Sequence, residues 1–265
     1  MSVVTISRGS YSRGREVAEK AAQRLGYECV SREILVEASQ EFDVPEVRLL
    51  HAIQDAPSVL DRFTFGKERY IAFIQAALLE HFQNGNVVYH GLAGQYFVDD
   101  VSHVLKVRII AEADDRVELV MQREGIPEDK ARGILKSIDE ARRKWGLHLY
   151  GIDPDDPSLY DLVLRIGKLS VEDAADLIHQ TAGRENLQAT AESQRALDDL
   201  TLAARVRASI IERHRRANVA AHDGLVYVGL EGASSKEEAE LRDAVQGLPG
   251  VKHVDLHTYP FVTQD

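Results

Sequence analysis

The chain has 265 residues, with 43 acidic against 32 basic side chains, a formal net charge of −11 and 44% hydrophobic residues. That balance is the balance of a globular protein. The acidity excludes sequence-independent binding to nucleic acid, which needs a basic face, and the single cysteine, Cys29, excludes a disulfide framework or a cysteine-cluster zinc site. No apolar run approaches the roughly 20 residues that span a bilayer, and the opening residues do not have the form of a signal peptide, so the expected location is cytoplasmic.

In chain order, residues 3–7 read as a short β-branched strand followed by a glycine-containing loop. Residues 15–25 read as a helix with Val17, Ala18, Ala21, Ala22 and Leu25 on one face, stopped by Gly26. A brief strand is expected at 28–31, then helices at 32–40 and 45–53, with an irregular stretch at 55–66. Residues 69–83 form a strong helical pattern ended by Asn84-Gly85-Asn86. Strands at 87–90, 104–110 and 159–166 alternate with helices at 114–123, 127–144 and 170–181. Strands that read as apolar throughout, separated by helices, imply a parallel sheet covered on both faces.

The pattern changes at Gly183. Residues 183–200 are polar without a sustained apolar face and read as a linker with room for partial helix. An amphipathic helix is expected over 202–214, then strands at 218–221 and 225–230 around Asp223-Gly224, a strong hairpin signal. A helix capped by Ser234 or Ser235 runs to about Leu248, and 251–259 is a last strand. The expected domains are therefore 1–182, a linker at 183–200, and a small α-β-β-α-β domain at 201–265.

The segment from Gly9 to Glu16, Gly-Ser-Tyr-Ser-Arg-Gly-Arg-Glu, has the glycine spacing of a phosphate-cradling loop, G-x-x-x-x-G-K-[ST]. Such a loop holds phosphate through successive backbone N–H groups and the start of a helix. Arg15 stands in the lysine position and Glu16 in that of the hydroxyl residue. By spacing alone, an ordinary glycine turn into a helix fits equally well.

Further segments narrow the reading. Ile6-Ser7-Arg8, Gly14-Arg15-Glu16, Ser31-Arg32-Glu33-Ile34, residues 116–125, the Asp139-x-x-Arg142 helix, and Tyr160-Asp161-Leu162-Val163 leading to Lys168-Leu169-Ser170 together resemble the cytidylate kinase-like family of P-loop nucleoside monophosphate kinases. The resemblance covers residues 1–182. It implies a P-loop NTPase-like parallel sheet, ATP with Mg2+ as donor, and a nucleoside monophosphate as acceptor. In that reading Arg8, Gly9, Ser10, Tyr11, Ser12, Arg13, Gly14 and Glu16 bind donor phosphates. Arg15, Arg142 and Arg143 are catalytic cations, and Arg32 and His90 meet the acceptor. Asp139, one helical turn before Arg142, is placed to orient it, and Trp145 and Tyr150 are better explained by packing than by stacking on a base.

The sequence departs from the family pattern in three places. Tyr11 and Arg13 stand where glycines are expected, His90-Gly91 stands for Gly-Arg, and Ser31 stands for an aspartate. These departures keep a second reading open: a catalytically silent nucleotide-binding regulator. The last domain resembles a BON domain, on Leu202, Val206, the hairpin from Asp223 to Val226, Gly232, and Pro249-Gly250-Val251 with Val254. That resemblance implies a small-ligand or protein partner rather than catalysis. His222, His253 and His257 are too scattered for a metal site.

Overall fold

The structure is a computed structural model that describes residues 2–31, 33–43, 67–91, 93–98 and 101–259. The expected helix at 45–53, the irregular stretch at 55–66 and the candidate Arg32 lie outside the described residues.

Strands β1 (Val3–Arg8), β2 (Glu28–Val30), β3 (Val87–His90), β4 (Val104–Ala111) and β5 (Leu162–Ile166) form one sheet in the order β2-β3-β1-β4-β5. Every pairing in it is parallel. Helices α1 (Gly14–Leu25), α2 (Glu33–Glu41), α3 (Lys67–Gln83), α4 (Ala113–Glu124), α5 (Glu128–Tyr150) and α6 (Val171–Ala182) complete this unit. The alternating pattern therefore produced the parallel α/β architecture expected of a P-loop fold.

Side chains alternate across each strand and so divide between two cores. On one side Val4, Ile6, Leu105, Val107 and Ile109 pack with Val17, Ala18 and Ala21 of α1 and with Ala174, Ala175 and Ile178 of α6. On the other, Val3, Val87 and Val104 pack against Leu78, Leu79 and Phe82 of α3. Helix ends follow local chemistry. Gly26 and Gly125 close α1 and α4 in left-handed conformations, at φ 68° and 66°. Ser170 opens α6 with a capping box.

The second unit contains β6 (Asn218–His222), β7 (Leu225–Glu231) and β8 (His253–Tyr259), in that order, with β6–β7 antiparallel and β7–β8 parallel. Helix α8 (Ser235–Gln246) covers one face. Asp223 and Gly224, at φ 48° and 82°, make the hairpin turn that their sequence indicates.

The segment expected as a partly helical linker is packed against the larger unit. Its second half is helical: α7 runs from Ala191 to Ile210, opened by a capping box between Thr190 and Ser193. Leu197, Ala204, Ala208 and Ile211 enter the α3-side core, while Leu202, Val206 and Ile210 enter the core of the second unit. Gln83 Nε2 donates to Asp198 at 2.8 Å, and Arg205 Nε donates to Glu80 at 2.6 Å. The amphipathic pattern expected over 202–214 covers only the later part of this helix, which buries two opposite faces.

Candidate phosphate site at the carboxyl ends of the strands

In this sheet the chain crosses from β1 to β2 on one side, and from β3 to β4 on the other. The crevice beside the carboxyl end of β1 is therefore where an open α/β sheet accepts a ligand. The glycine-spaced loop leaves β1 at that point. Gly9 N donates to the Ile109 carbonyl at 2.9 Å, and Ser12 closes a turn onto the Gly9 carbonyl through both its N–H at 3.3 Å and its Oγ at 2.8 Å. Gly14 begins α1, and a Cβ there would lie 2.6 Å from Arg8 Cβ, so only glycine fits.

Tyr11 and Arg13, the two residues in place of expected glycines, adopt left-handed conformations at φ 53° and 60°. The loop has thus kept a backbone path that suits glycine, at a cost of about 1–2 kcal/mol for each residue. Exposed contacts partly compensate: Arg13 pairs with Glu16 at 2.7 Å, and Arg123 lies 5.9 Å from the centre of the Tyr11 ring.

A cavity of about 180 Å³ lies beside the loop, lined by Arg8, Gly9, Arg108, Arg116, Arg142 and Arg143 together with Gln95, Tyr96, Trp145 and Asp155. Arg142 Nη1 donates to the Arg8 carbonyl at 2.9 Å. Burial, then the nearby Arg8, push the Arg142 guanidinium down to about 10, while Asp139 opposes the shift. Arg142 therefore stays charged at neutral pH, but at an electrostatic cost. Burial, and next Arg15, likewise hold Arg8 below its ordinary value, and its buried Nε has no hydrogen-bond partner among the described residues.

Sequence-expected residues divide clearly. Arg8, Gly9, Arg142 and Arg143 are brought to the cavity. Arg143 also pairs with Asp153 at 2.7 Å, which holds that carboxylate below its usual range. Ser10 is tied to α5 through its hydroxyl bond to Asp139. Arg15 and Glu16 are not on the cavity wall: Arg15, with a side chain 71% exposed, pairs with Glu19 at 2.7 Å. His90 is buried at the end of β3 but does not line the cavity.

The expected Asp139–Arg142 relationship also requires correction. Arg116 Nη2 donates to both Asp139 oxygens, at 2.9 and 2.6 Å, so the carboxylate is turned toward α4 and the loop. Trp145 and Tyr150 pack as expected, with ring centres 5.4 Å apart and Tyr96 a further 4.7 Å from Tyr150. Burial pushes the Tyr96 and Tyr150 hydroxyls up, so both remain protonated.

Arg108 was missed, although a signal for it was present. The strand read as apolar, yet Lys106 and Arg108 recur two residues apart, which puts both on one face of β4. Of the two, Arg108 lines the cavity and Lys106 does not.

Among the described residues no group of three His, Cys, Asp or Glu side chains is placed to hold a metal. Glu16, at the start of α1, is paired with Arg13 at 2.7 Å. No described helix is long and apolar enough to cross a membrane.

Comparison with known proteins agrees with this architecture. The chain is 32% identical over 104 residues to the cytidylate kinase of Methanopyrus kandleri, covering 36% of this chain and 54% of that one. It is 36% identical over 94 residues to the cytidylate kinase of Pyrococcus horikoshii, covering 36% and 48%. The chain thus spans about half the length of these curated relatives. The crystal structure of an uncharacterized protein from Eubacterium ventriosum shares the fold, with a TM-score of 0.53 and 23% identity, over 69% of this chain and 100% of that one. The model of the cytidylate kinase-like family matches residues 3–168, from the first residue of β1 past the end of β5, and the chain belongs to that family.

Proposed function

We propose that the protein is an ATP-dependent nucleoside monophosphate kinase of cytidylate type. The observation that carries the reading is the cluster of Arg8, Arg108 and Arg142 around one cavity beside the phosphate loop. Like charges gathered at a partly dry site repel one another, and a phosphate group relieves that repulsion.

Phosphoryl transfer spreads negative charge over the moving group, and catalysis consists largely of placing cations around it. In this reading the loop from Gly9 to Gly14 and the start of α1 bind donor phosphates through backbone N–H groups. Arg142 and Arg143, from α5, meet the transferred group, and Arg15 swings from Glu19 to the outer phosphates. Arg32 and His90 serve the acceptor. Glu16, once released from Arg13, would meet the magnesium brought by ATP, and that ion would supply charge screening. The expected setting is cytoplasmic. The BON-like unit at 201–265 is proposed as an interaction or small-ligand domain appended to the kinase.

A second reading rests on the backbone of the loop. Tyr11 and Arg13 hold left-handed conformations at positions where the family pattern has glycines, which supports a silent nucleotide-binding regulator. Titration calorimetry with ATP and CMP, with and without magnesium, followed by a coupled turnover assay, separates the two. Binding with turnover supports the kinase, binding of ATP without turnover against any nucleoside monophosphate supports the regulator, and binding of neither refutes both.

A further inference from the structure

Arg108 has no part in the loop or in the α5 arginine pair, yet it is firmly built into the cavity wall. On the α3 side of the sheet the strands begin apolar, with Val3 and Val104, and end polar, with Ser7 directly opposite Arg108 in the β1–β4 register. The Arg108 side chain is only 13% exposed. Its Nη1 donates to Ser7 Oγ at 3.0 Å and its Nη2 donates to Asp155. The guanidinium lies 5.6 Å from the centre of the Tyr160 ring. The Tyr160 hydroxyl donates to the Pro154 carbonyl at 2.8 Å and also approaches Ser7 Oγ at 3.2 Å. An arginine held from strand, loop and ring has little freedom left to lose on binding an anion.

The position of the cavity distinguishes its ligand from the donor. Of the loop from Gly9 to Gly14, only Gly9 lines it, whereas the turn after β3 contributes Ala93, Gln95 and Tyr96. An anion seated between Arg8, Arg108 and Arg142 therefore lies beside the loop, outside the backbone N–H groups that would take donor phosphates. Both Arg8 and Arg108 add to the repulsion felt by Arg142.

We propose that Arg108 is a specificity-determining residue that binds the phosphate monoester of the acceptor, forming with Arg8 and Arg142 a cationic subsite separate from the donor loop. Asp155, at the rim with a side chain 62% exposed, holds Arg108 in line and gives way to the incoming phosphate. This assignment rests on the phosphoryl-transfer reading above.

The test is calorimetry on the full chain with CMP, ATP and inorganic phosphate as separate probes, comparing the parent with Arg108→Gln, Arg108→Lys and Asp155→Asn. Loss of a charge-assisted contact is expected to weaken CMP binding about tenfold or more in Arg108→Gln, with ATP affinity changed less than about twofold. Arg108→Lys should fall between, since an ammonium cannot present two parallel donors. Asp155→Asn should tighten CMP binding severalfold, and it decides the matter if Arg108→Gln does not fold. Unchanged CMP binding in Arg108→Gln, an equal loss of ATP binding, or no gain in Asp155→Asn overturns the assignment. If the parent binds neither ATP nor CMP, the kinase reading fails, and inorganic phosphate then decides Arg108 alone. Phosphate binding that Arg108→Gln abolishes keeps the subsite, and phosphate binding absent from the parent or unchanged in the variant removes it.

Discussion

Arg116 of α4 holds Asp139 of α5 through both carboxylate oxygens while its Nε donates to the carbonyl of Ser10 at 2.7 Å. One guanidinium thus joins the phosphate loop, the helix after β4 and the arginine-bearing helix.

Asp139→Asn weakens that joint while keeping its shape. Because the Asp139 side chain is 42% exposed, the stability lost is expected to be small, about 1 kcal/mol, and is read by urea denaturation. A loss above about 3 kcal/mol would mean that the pair acts as a buried ion pair.

Arg15→Ala should leave the fold intact, since Arg15 is exposed and engaged with Glu19 of its own helix. Stability should change by less than about 0.5 kcal/mol. Turnover, if the kinase reading holds, should fall at least tenfold. Parent-like turnover in this variant removes Arg15 from the mechanism.

Arg13→Gly addresses the left-handed loop. Glycine relieves the strain at φ 60° but adds freedom to the unfolded chain, so a gain of up to about 1 kcal/mol is expected. Arg13→Val, β-branched at the same dihedral, should lose about 1–2 kcal/mol. Thermal melts of the two variants should therefore bracket the parent. Equal melts would show that the loop carries no strain there.

Leu197→Ala tests whether α7 is part of the larger unit. Leu197 is fully buried against α3-side residues, and truncation of a buried leucine costs about 2–5 kcal/mol. A change below about 0.5 kcal/mol would restore the view of this stretch as a spacer. The proposed boundary between 1–182 and 201–265 is tested separately by expressing the pieces. A fragment ending at 182 exposes the α3 face that α7 covers and should melt well below the full chain.

His103 supplies a pH dependence. Burial holds its imidazole below the ordinary 6.5, and Nδ1 lies 2.8 Å from Ser193 Oγ at the start of α7. The neutral form is favoured in the folded protein. Its contribution to stability is therefore complete above pH 6.5 and declines as the pH falls from 6.5 toward the lower folded value. His103→Asn should flatten this part of the stability profile between pH 7.5 and 5.5 in urea melts. An unchanged slope would exclude His103 as its source.

Short-range chemistry in the sequence determined most of the backbone. β-branched runs made the parallel strands, Gly26 and Gly125 ended helices, Ser170 and Ser234 opened them, and Asp223-Gly224 turned the hairpin. Each of these outcomes depends on a few neighbouring residues, so each was legible without the fold. The loop from Gly9 to Gly14 was legible for the same reason, including the two positions where side chains occupy a glycine-like path. Tertiary structure alone decided the rest. The start of α7 at Ala191 depends on α3 for one face and on the second unit for the other. Asp139 turned to Arg116, 23 residues away, instead of to Arg142 on its own helix, because Arg116 and Ser10 together offer a better set of donors than the helix does. Arg108 became part of a cavity wall only when β1, β5 and the turn at Pro154 assembled around it. Charged side chains have many partners within reach along a sequence. Which one they take is decided by desolvation and by the direction of approach, and both exist only in the folded chain.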